Sequence, residues 1–579
     1  MPRLCRLAFW YCLLAALVPV TLLAGAVSKP LPKLDVPGVR EEHVMIPMRD
    51  GVKLSAYLYF PESASQEKLP ALFEQRYAEI TGLGTRKAAA SLAAQGFVVA
   101  MVNYRGTHES EGVWVSYRAT QWGKERDGWD VCEWLATQPW STGKIGTFGS
   151  SQGGYVQNYL AVTQPPHLVA QYMVDTGLSL FHEGYRLGGA TRPERYKAMG
   201  KVASNYADHE ALLKTWDRHP DYDGYWRAED CKPYFGKMNV PCFTIGSWYD
   251  FMNQGSIMSF QGRQKLGGPK SRDNQWLLLG PWLHGRLNKG SKVGELTYPE
   301  NATWPELEHM TRWFNYWLKG EANGIEKEPK ARWYVMGATG ENGSPGNTWS
   351  EAADWPPALK EKRLFLNADG LLGMRRSNAV GSRTSYASDP RKPMNIPGTS
   401  FPGAKDASAF EQQAEVRTWT TEPLTEPMEW TGEVKAELYI SSTAPDTDFI
   451  VRVSDVYPDG RSMLLMDYPM RARYRDGFDK QRLLTPTNAE ALATRNDPRT
   501  DEIAKLSMHV GWTSIIFNKG HRIRITIAST GAPLYEPNNQ TGGRQTMDWM
   551  KDTQTAINTI WHDRARPSCL RVPLRVVGK

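Results

Sequence analysis

The stretch from Ile145 to Val162 leaves few folds open to this chain. Ile145-Gly-Thr-Phe148 is a short apolar run with strand character, Gly149-Ser150-Ser151-Gln152-Gly153 follows it directly, and Tyr155 to Val162 is compatible with a helix. A G-x-S-x-G between strand and helix requires a sharp turn that lifts the central serine out of the sheet. Glycines at 149 and 153 remove Cβ atoms that such a turn would bring into collision. The helix behind it points its amide dipoles at negative charge developing next to Ser151. A turn of this kind needs parallel strands beside it, and the sequence offers them. Leu69 to Phe73, Phe97 to Val102, Val169 to Val174, Cys242 to Ile245 and Gln275 to Leu279 are apolar runs separated by helical segments such as Arg86 to Gln95 and Gly123 to Thr137. That alternation implies crossover connections and a mainly parallel sheet.

The sheet is introduced by an antiparallel pair, because Val44 to Tyr59 alternates apolar residues around Asp50-Gly51, a pairing that supplies positive φ in a tight hairpin. An amphipathic helix from Trp304 to Leu318 is expected to complete it. Between roughly Gly177 and Asn239 the chain is rich in charge and aromatics, among them Trp216, Tyr222, Tyr225 and Trp226, without strand alternation, and reads as a helical insertion. From about residue 330 the pattern turns to short alternating segments, such as Val434 to Ile440, Phe449 to Val453 and His521 to Ile527, separated by Pro, Gly and Asn turns, as in an all-β sandwich. Ser377 to Asp406 reads as an extended surface connection. The expected organisation is an α/β part over 40–177 and 240–325, a helical cap over 178–239, and a β-sandwich over 330–579.

The motif alone does not make a catalyst; an acid and a histidine are also needed. Asp250 lies in Gly246-Ser-Trp-Tyr-Asp250 and His284 in Gly280-Pro-Trp-Leu-His-Gly285, each just beyond an expected strand. Ser151, Asp250 and His284 therefore all fall at carboxyl ends of strands, in the chain order used by α/β-hydrolases. At these residues the sequence resembles the CocE/NonD-type serine hydrolases, the family of cocaine esterase, α-amino acid ester hydrolases, glutaryl-cephalosporin acylases and Xaa-Pro dipeptidyl-peptidases. The likeness extends through Met48-Arg-Asp-Gly51, Tyr104-Arg-Gly106, Ser110-Glu-Gly112, Trp248-Tyr-Asp250, Ala444-Pro-Asp-Thr-Asp448, Asp455 to Gly460, Lys519 to Arg524 and His562-Asp563. It implies an α/β-hydrolase domain with an inserted helical cap and a C-terminal jelly roll. Ser151 would be the nucleophile, His284 its base and Asp250 the acid that orients the imidazole. The oxyanion would be held by the backbone N–H of Gln152 and by the phenol of Tyr77, which follows Arg76 where the family often has Pro. Gln152 itself replaces a frequent Tyr. Members that act on α-amino esters carry acids shortly after the triad Asp, where this chain has Phe251-Met-Asn253, which argues against a requirement for a free α-amino group. Trp248, Phe251 and Trp282 flank the triad and are candidates for an apolar substrate pocket, with burial in the ordinary core as the alternative.

These readings imply a serine hydrolase for small esters or amides, needing no metal or organic cofactor. An Xaa-Pro dipeptidyl-peptidase-like amidase or acylase with the same triad is the first alternative, and an inert carbohydrate-binding protein the second. Residues 1–26, with Arg3 and Arg6, an uncharged run and Ala24-Gly-Ala26, read as a secretory signal peptide cleaved after Ala26, with a retained anchor as the alternative. The mature chain is accordingly expected to be periplasmic or secreted, without stable membrane insertion. With a net charge of +7 over 579 residues, and basic residues scattered among acids, nothing marks a nucleic-acid partner. Self-association is left open. Cys231 and Cys242 are near enough in sequence to bridge. Asp446 and Asp448 read as turn residues with calcium binding as the lesser reading, Asp127 and Asp130 as solvated or capping groups, and His108 as a loop histidine.

Overall fold

The computed structural model describes residues 34, 36–62, 67–76, 83–202, 209–285, 287, 292–397, 403–485, 503–546 and 548–577. The leader read at 1–26 and the oxyanion candidate Tyr77 lie outside the described residues.

The hairpin expected around Asp50-Gly51 is formed by β1 (Val39–Pro47) and β2 (Lys53–Pro61), with Gly51 at φ +87°. The chain continues through β3 (Leu69–Arg76), α1 (Leu83–Ala93), β4 (Val98–Asn103), α2 (Asp127–Ala136), β5 (Ser141–Ser150), α3 (Gln152–Thr163) and β6 (Leu168–Val174). After the insertion come β7 (Cys242–Ser247), α-helix Asn253–Leu266, and β8 (Gln275–Gly280). The order across the sheet is β1-β2-β4-β3-β5-β6-β7-β8, antiparallel at β1/β2 and β2/β4 and parallel from β4 to β8. Period-two alternation places side chains on both faces. On β4, Val99 and Met101 pack with Ala89, Ala90 and Ala93 of α1 and with Trp313 and Phe314, whereas Val98, Ala100 and Val102 pack with Val131, Cys132 and Leu135 of α2.

The sheet does not end at the helix Glu306–Phe314. A parallel strand β9 (Ala331–Val335) and an antiparallel strand β10 (Thr348–Ala352) extend it beyond the expected limit. Trp333 and Val335 are buried along β9, so the sheet and the β-sandwich share one hydrophobic core that runs from Trp248 and Leu277 to Ile525. Backbone bonds from Met336 N to Ser514 O (2.9 Å) and from Ile516 N to Met336 O (2.8 Å) tie the two halves together.

The C-terminal half is all β. One sheet is built around the long strand Met428–Ser442, which pairs with Ala504–Phe517, Cys569–Val576 and Ala556–Trp561; a second has the order Arg417–Thr420, Arg522–Ala528, Asp448–Val456, Ser462–Arg471. The segment read as a surface connection contains a strand, Arg383–Ser388, paired with Ala556–Trp561; its alternation is carried by one buried aromatic, Tyr386, too little to register as a pattern.

Between β6 and β7 lie a wide helical turn (Leu180–Tyr185), the helices α4 (Pro193–Val202) and α5 (His209–Arg218), and a single turn at Gly224–Arg227. Trp216, Trp226, Phe181 and Tyr185 pack on Tyr155 and Tyr159 of α3, which seats this layer above the elbow. Cys231 and Cys242 are buried free thiols rather than a bridge. Asp446 and Asp448 are not turn residues: they accept from Arg473 Nε (2.7 Å) and Arg471 Nε (2.9 Å), and Asn538 Nδ2 donates to both. Asp127 and Asp130 are likewise buried ion-pair partners, of Arg105 (2.5 Å) and Arg49 (2.7 Å). Arg126, with φ +59°, immediately precedes α2, so both acids lie in its first turn. His108 lies exposed in a turn.

Candidate active site

Ser151 sits between β5 and α3 with φ +59° and ψ −116°. A non-glycine residue held there is strained, and the surroundings must over-determine it. Its N–H donates to Val174 O at the end of β6 (3.0 Å), and its carbonyl accepts from Gly154 N (2.9 Å) and Tyr155 N (3.1 Å), which starts the helix. The flanking glycines have a specific cause: a Cβ at Gly149 or Gly153 would lie 2.8 or 2.9 Å from Oε1 of the buried Glu74. Gln152 is the first residue of α3, so its N–H has no intrahelical acceptor and is available at the elbow.

Asp250 is three residues past β7. Its N–H donates to Ser247 O (3.1 Å) and its Oδ1 accepts from Met252 N (3.2 Å), so the carboxylate is fixed by its own turn. Its Oδ2 lies 2.8 Å from Nδ1 of His284, four residues past β8. The two loops are held side by side by backbone bonds from Trp248 N to Gly280 O (2.8 Å) and from Tyr249 N to Trp282 O (3.2 Å). The Asp250 side chain is fully buried, whereas that of His284 remains 16% exposed. Burial lowers the His284 pKa, but the charge and hydrogen bond of Asp250, with the charge of Asp175, outweigh it and leave the pKa above its ordinary value.

Asp175 was not singled out from the sequence. It follows β6 directly at φ +47°, and its Oδ2 accepts from Gly285 N (2.7 Å) and Ser247 Oγ (3.1 Å). It thereby clamps the residue after His284 to the end of β7. Burial and the neighbouring Asp250 charge push its carboxyl well above the usual carboxylate range. Asp175, Asp250 and His284 bring one ligand-type atom each to within 4.8 Å of one another, the closest approach to a metal-binding set among the described residues. Hydrogen bonds already occupy one oxygen of each carboxylate there, and Asp250 Oδ2 faces the imidazole. The sequence signal was available: an acid at the carboxyl end of the strand beside the nucleophile strand, where functional groups collect.

Of the three aromatic candidates, two border a cavity that reaches Asp250. Trp248 and Phe251 line a cavity between hydrolase sheet, cap and β-sandwich, together with Asp250, Arg192, Asp467 and Tyr535. The Phe251 ring stacks on His284 at 5.7 Å and 19°. Trp248 also donates Nε1 to Tyr334 O (2.9 Å), which anchors it to β9. Trp282 does not line this cavity. It is buried in the core below, packed against Gly280 and donating Nε1 to Ala302 O (2.7 Å). Among the described residues no helix is long and apolar enough to cross a membrane.

Comparison with known proteins agrees with this architecture. The sequence model of X-Pro dipeptidyl-peptidase (S15 family) matches residues 50–210 and 191–286, and that of the X-Pro dipeptidyl-peptidase C-terminal non-catalytic domain matches 323–571. A cocaine esterase of Rhodococcus sp. (strain MB1 Bresler) is 28% identical over 597 residues, covering 92% of this chain and 98% of its own. An α-amino acid ester hydrolase structure superposes with a TM-score of 0.76 at 21% identity, covering 96% of this chain and 100% of that one. A CocE/NonD family hydrolase from Staphylococcus aureus superposes with a TM-score of 0.69 at 17% identity, covering 95% and 100%. With both halves matched in this order around a serine elbow, the chain belongs to the CocE/NonD-type, S15-related serine hydrolases.

Proposed function

We propose that this chain is an exported hydrolase that cleaves small carboxylic esters, or amides, through an acyl-enzyme on Ser151. The observation that carries the reading is the 2.8 Å contact between Asp250 and His284 on loops locked beside the serine elbow. With Nδ1 committed to Asp250, Nε2 is the nitrogen that takes the Ser151 proton as Oγ bonds to the substrate carbonyl carbon. The negative oxygen of the tetrahedral intermediate is met by the N–H of Gln152 and, by family resemblance, by the phenol of Tyr77. Collapse breaks the bond to the alcohol or amine, which leaves with the proton from His284. Water then adds to the acyl carbon, giving its proton to His284, and the acid departs as Ser151 recovers its hydrogen.

The similarity to a cocaine esterase along nearly the whole chain supports ester cleavage first. The S15 match keeps amide cleavage as the second reading. Phe251, Met252 and Asn253, in place of acids after Asp250, argue against dependence on a substrate ammonium group. Export rests on the reading of residues 1–26. Ser151→Ala is expected to abolish ester turnover, by roughly 10⁴-fold or more, with the melting temperature retained. Turnover unchanged in that variant would overturn the assignment.

A further inference from the structure

Two neutral hydrogen-bonding groups in the wall of the cavity that reaches Asp250 are left unmatched. Asn253 opens the helix Asn253–Leu266 and is 5% exposed; Trp512 lies on the sandwich strand Ala504–Phe517 and is 8% exposed; both line the cavity. Asn253 Oδ1 and Trp512 Nε1 are buried and have no hydrogen-bond partner among the described residues. In the same wall Trp248 Nε1 donates to Tyr334 O at 2.9 Å, as a buried indole ordinarily does. The Asn253 oxygen rests beside Gly246 on β7, and a half-turn about the Cβ–Cγ bond exchanges it with the N–H2 end. Charges of both signs line this cavity, and each is engaged within the protein. Asp250 holds His284, Asp467 lies 3.4 Å from the buried Arg452, and the Arg192 guanidinium packs 3.6 Å from the centre of the Phe251 ring.

A buried acceptor without a donor and a buried donor without an acceptor each carry a desolvation penalty, which a ligand removes by supplying the missing partner. A group with an acceptor alone, such as a second ester or a ketone, would pair with the Trp512 N–H and leave the Asn253 oxygen unmatched. A secondary amide carries one N–H and one C=O on a single rigid plane, without charge, and satisfies both. The cavity volume of about 90 Å³ admits a group of several heavy atoms. We propose that Asn253 and Trp512 form a subsite that reads a secondary amide, and that the preferred substrates are esters or amides whose acyl or leaving group carries such an uncharged N–H and C=O pair. This rests on the assignment of Ser151, Asp250 and His284 as the catalytic groups. Asn253 follows Asp250 by three residues, and Phe251 between them both lines the cavity and stacks on His284, which joins the subsite wall to the imidazole. Through Trp512 the β-sandwich takes part in choosing the substrate.

The test compares kcat/KM for matched pairs of uncharged esters, each value divided by the rate constant for hydrolysis of the same ester by hydroxide, which removes inductive differences. Phenyl N-acetylglycinate against phenyl 4-methylpentanoate probes the acyl side; 4-acetamidophenyl acetate against 4-isobutylphenyl acetate probes the leaving side. The wild type is expected to favour the amide member of one pair by about tenfold or more, because a site built to hydrogen-bond a group rejects the analogue that lacks it, and that pair identifies the side. Asn253→Leu, which keeps the volume, and Trp512→Phe, which keeps a ring without the N–H, are each expected to bring that ratio towards one. Hydrolysis of the all-carbon esters with no amide preference in the wild type would overturn the subsite while leaving the triad assignment standing, whatever the folding of the variants. A ratio unchanged in both folded variants would also overturn it. Failure to hydrolyse any of the four esters would overturn the subsite, and with Ser151 also unreactive to a fluorophosphonate it would remove the triad reading as well.

Discussion

The molecule contains two Asp–His contacts of the same length in very different settings. In the hydrolase half, Asp250 meets His284 Nδ1 at 2.8 Å; in the β-sandwich, Asp455 meets His521 Nδ1 at 2.8 Å. His521 has a second carboxylate, Glu341, 2.9 Å from Nε2, Tyr457 against its ring, and no exposure. A carboxylate stands at each of its nitrogens, and the pair of acids holds its pKa above the ordinary value against the lowering effect of burial. His284 stands partly exposed, its ring stacked on Phe251, which lines a cavity, and the residue after it is tied to Asp175 at the end of β6. An acid–imidazole contact therefore does not by itself identify chemistry. His521 cross-links the loop carrying Glu341 to the sandwich, while His284 is held by one carboxylate and stays partly exposed.

Exchanging the acid in each pair should separate these roles. Asp250→Asn is expected to lower kcat by roughly 10⁴-fold with little change in melting, because the imidazole loses both its orientation and the partner of its positive charge. A loss below tenfold would break the distinction. Asp455→Asn is expected to cost about 3–5 kcal/mol of stability near neutral pH and to leave kcat within a few-fold, as judged by denaturant titration. Since the folded-state pKa of His521 is raised, its stabilisation is full below the unfolded value near 6.5 and is lost as pH rises through the folded value. The difference between Asp455→Asn and wild type should accordingly narrow in alkaline solution. A difference that widens there would contradict the ion-pair reading.

The smallest effect concerns Asp175. The acid limb of kcat/KM is expected above pH 6.5, because imidazolium cannot accept the Ser151 proton and the His284 pKa is raised. Asp175→Asn can keep the acceptor for Gly285 N and Ser247 Oγ, and because burial and the Asp250 charge push the Asp175 carboxyl up to about 8 it carries little charge across this limb, so the limb should move to lower pH by no more than a few tenths of a unit. A larger shift would make Asp175 a charged partner of the imidazolium rather than a clamp.

The parts legible in the sequence were those governed by local rules. The elbow, β1 to β8 and the helices around them follow from apolar runs, period and glycine placement, and the three strand-end residues follow from chain order. The parts that were not legible depend on partners distant in sequence. Asp127 and Asp130 look like solvated acids until Arg105 and Arg49 arrive from another loop; Trp282 looks like a pocket residue until the strand edge turns it into the core. Arg192 carries no such signal either, because a charged residue ahead of a cap helix ordinarily faces water, and no local pattern tells that its guanidinium packs on Phe251 in a buried wall. Strands β9 and β10 lie past the composition change near residue 330, so pattern alone assigned them to the sandwich although hydrogen bonding assigns them to the sheet.

The central claim is that Ser151 is an activated nucleophile. Treating the purified protein with a fluorophosphonate and mapping the labelled peptide tests it without a known substrate. The account predicts one phosphonyl group on Ser151, lost in Ser151→Ala and slowed in Asp250→Asn. Folded protein left unlabelled, or labelled at another serine, would contradict it.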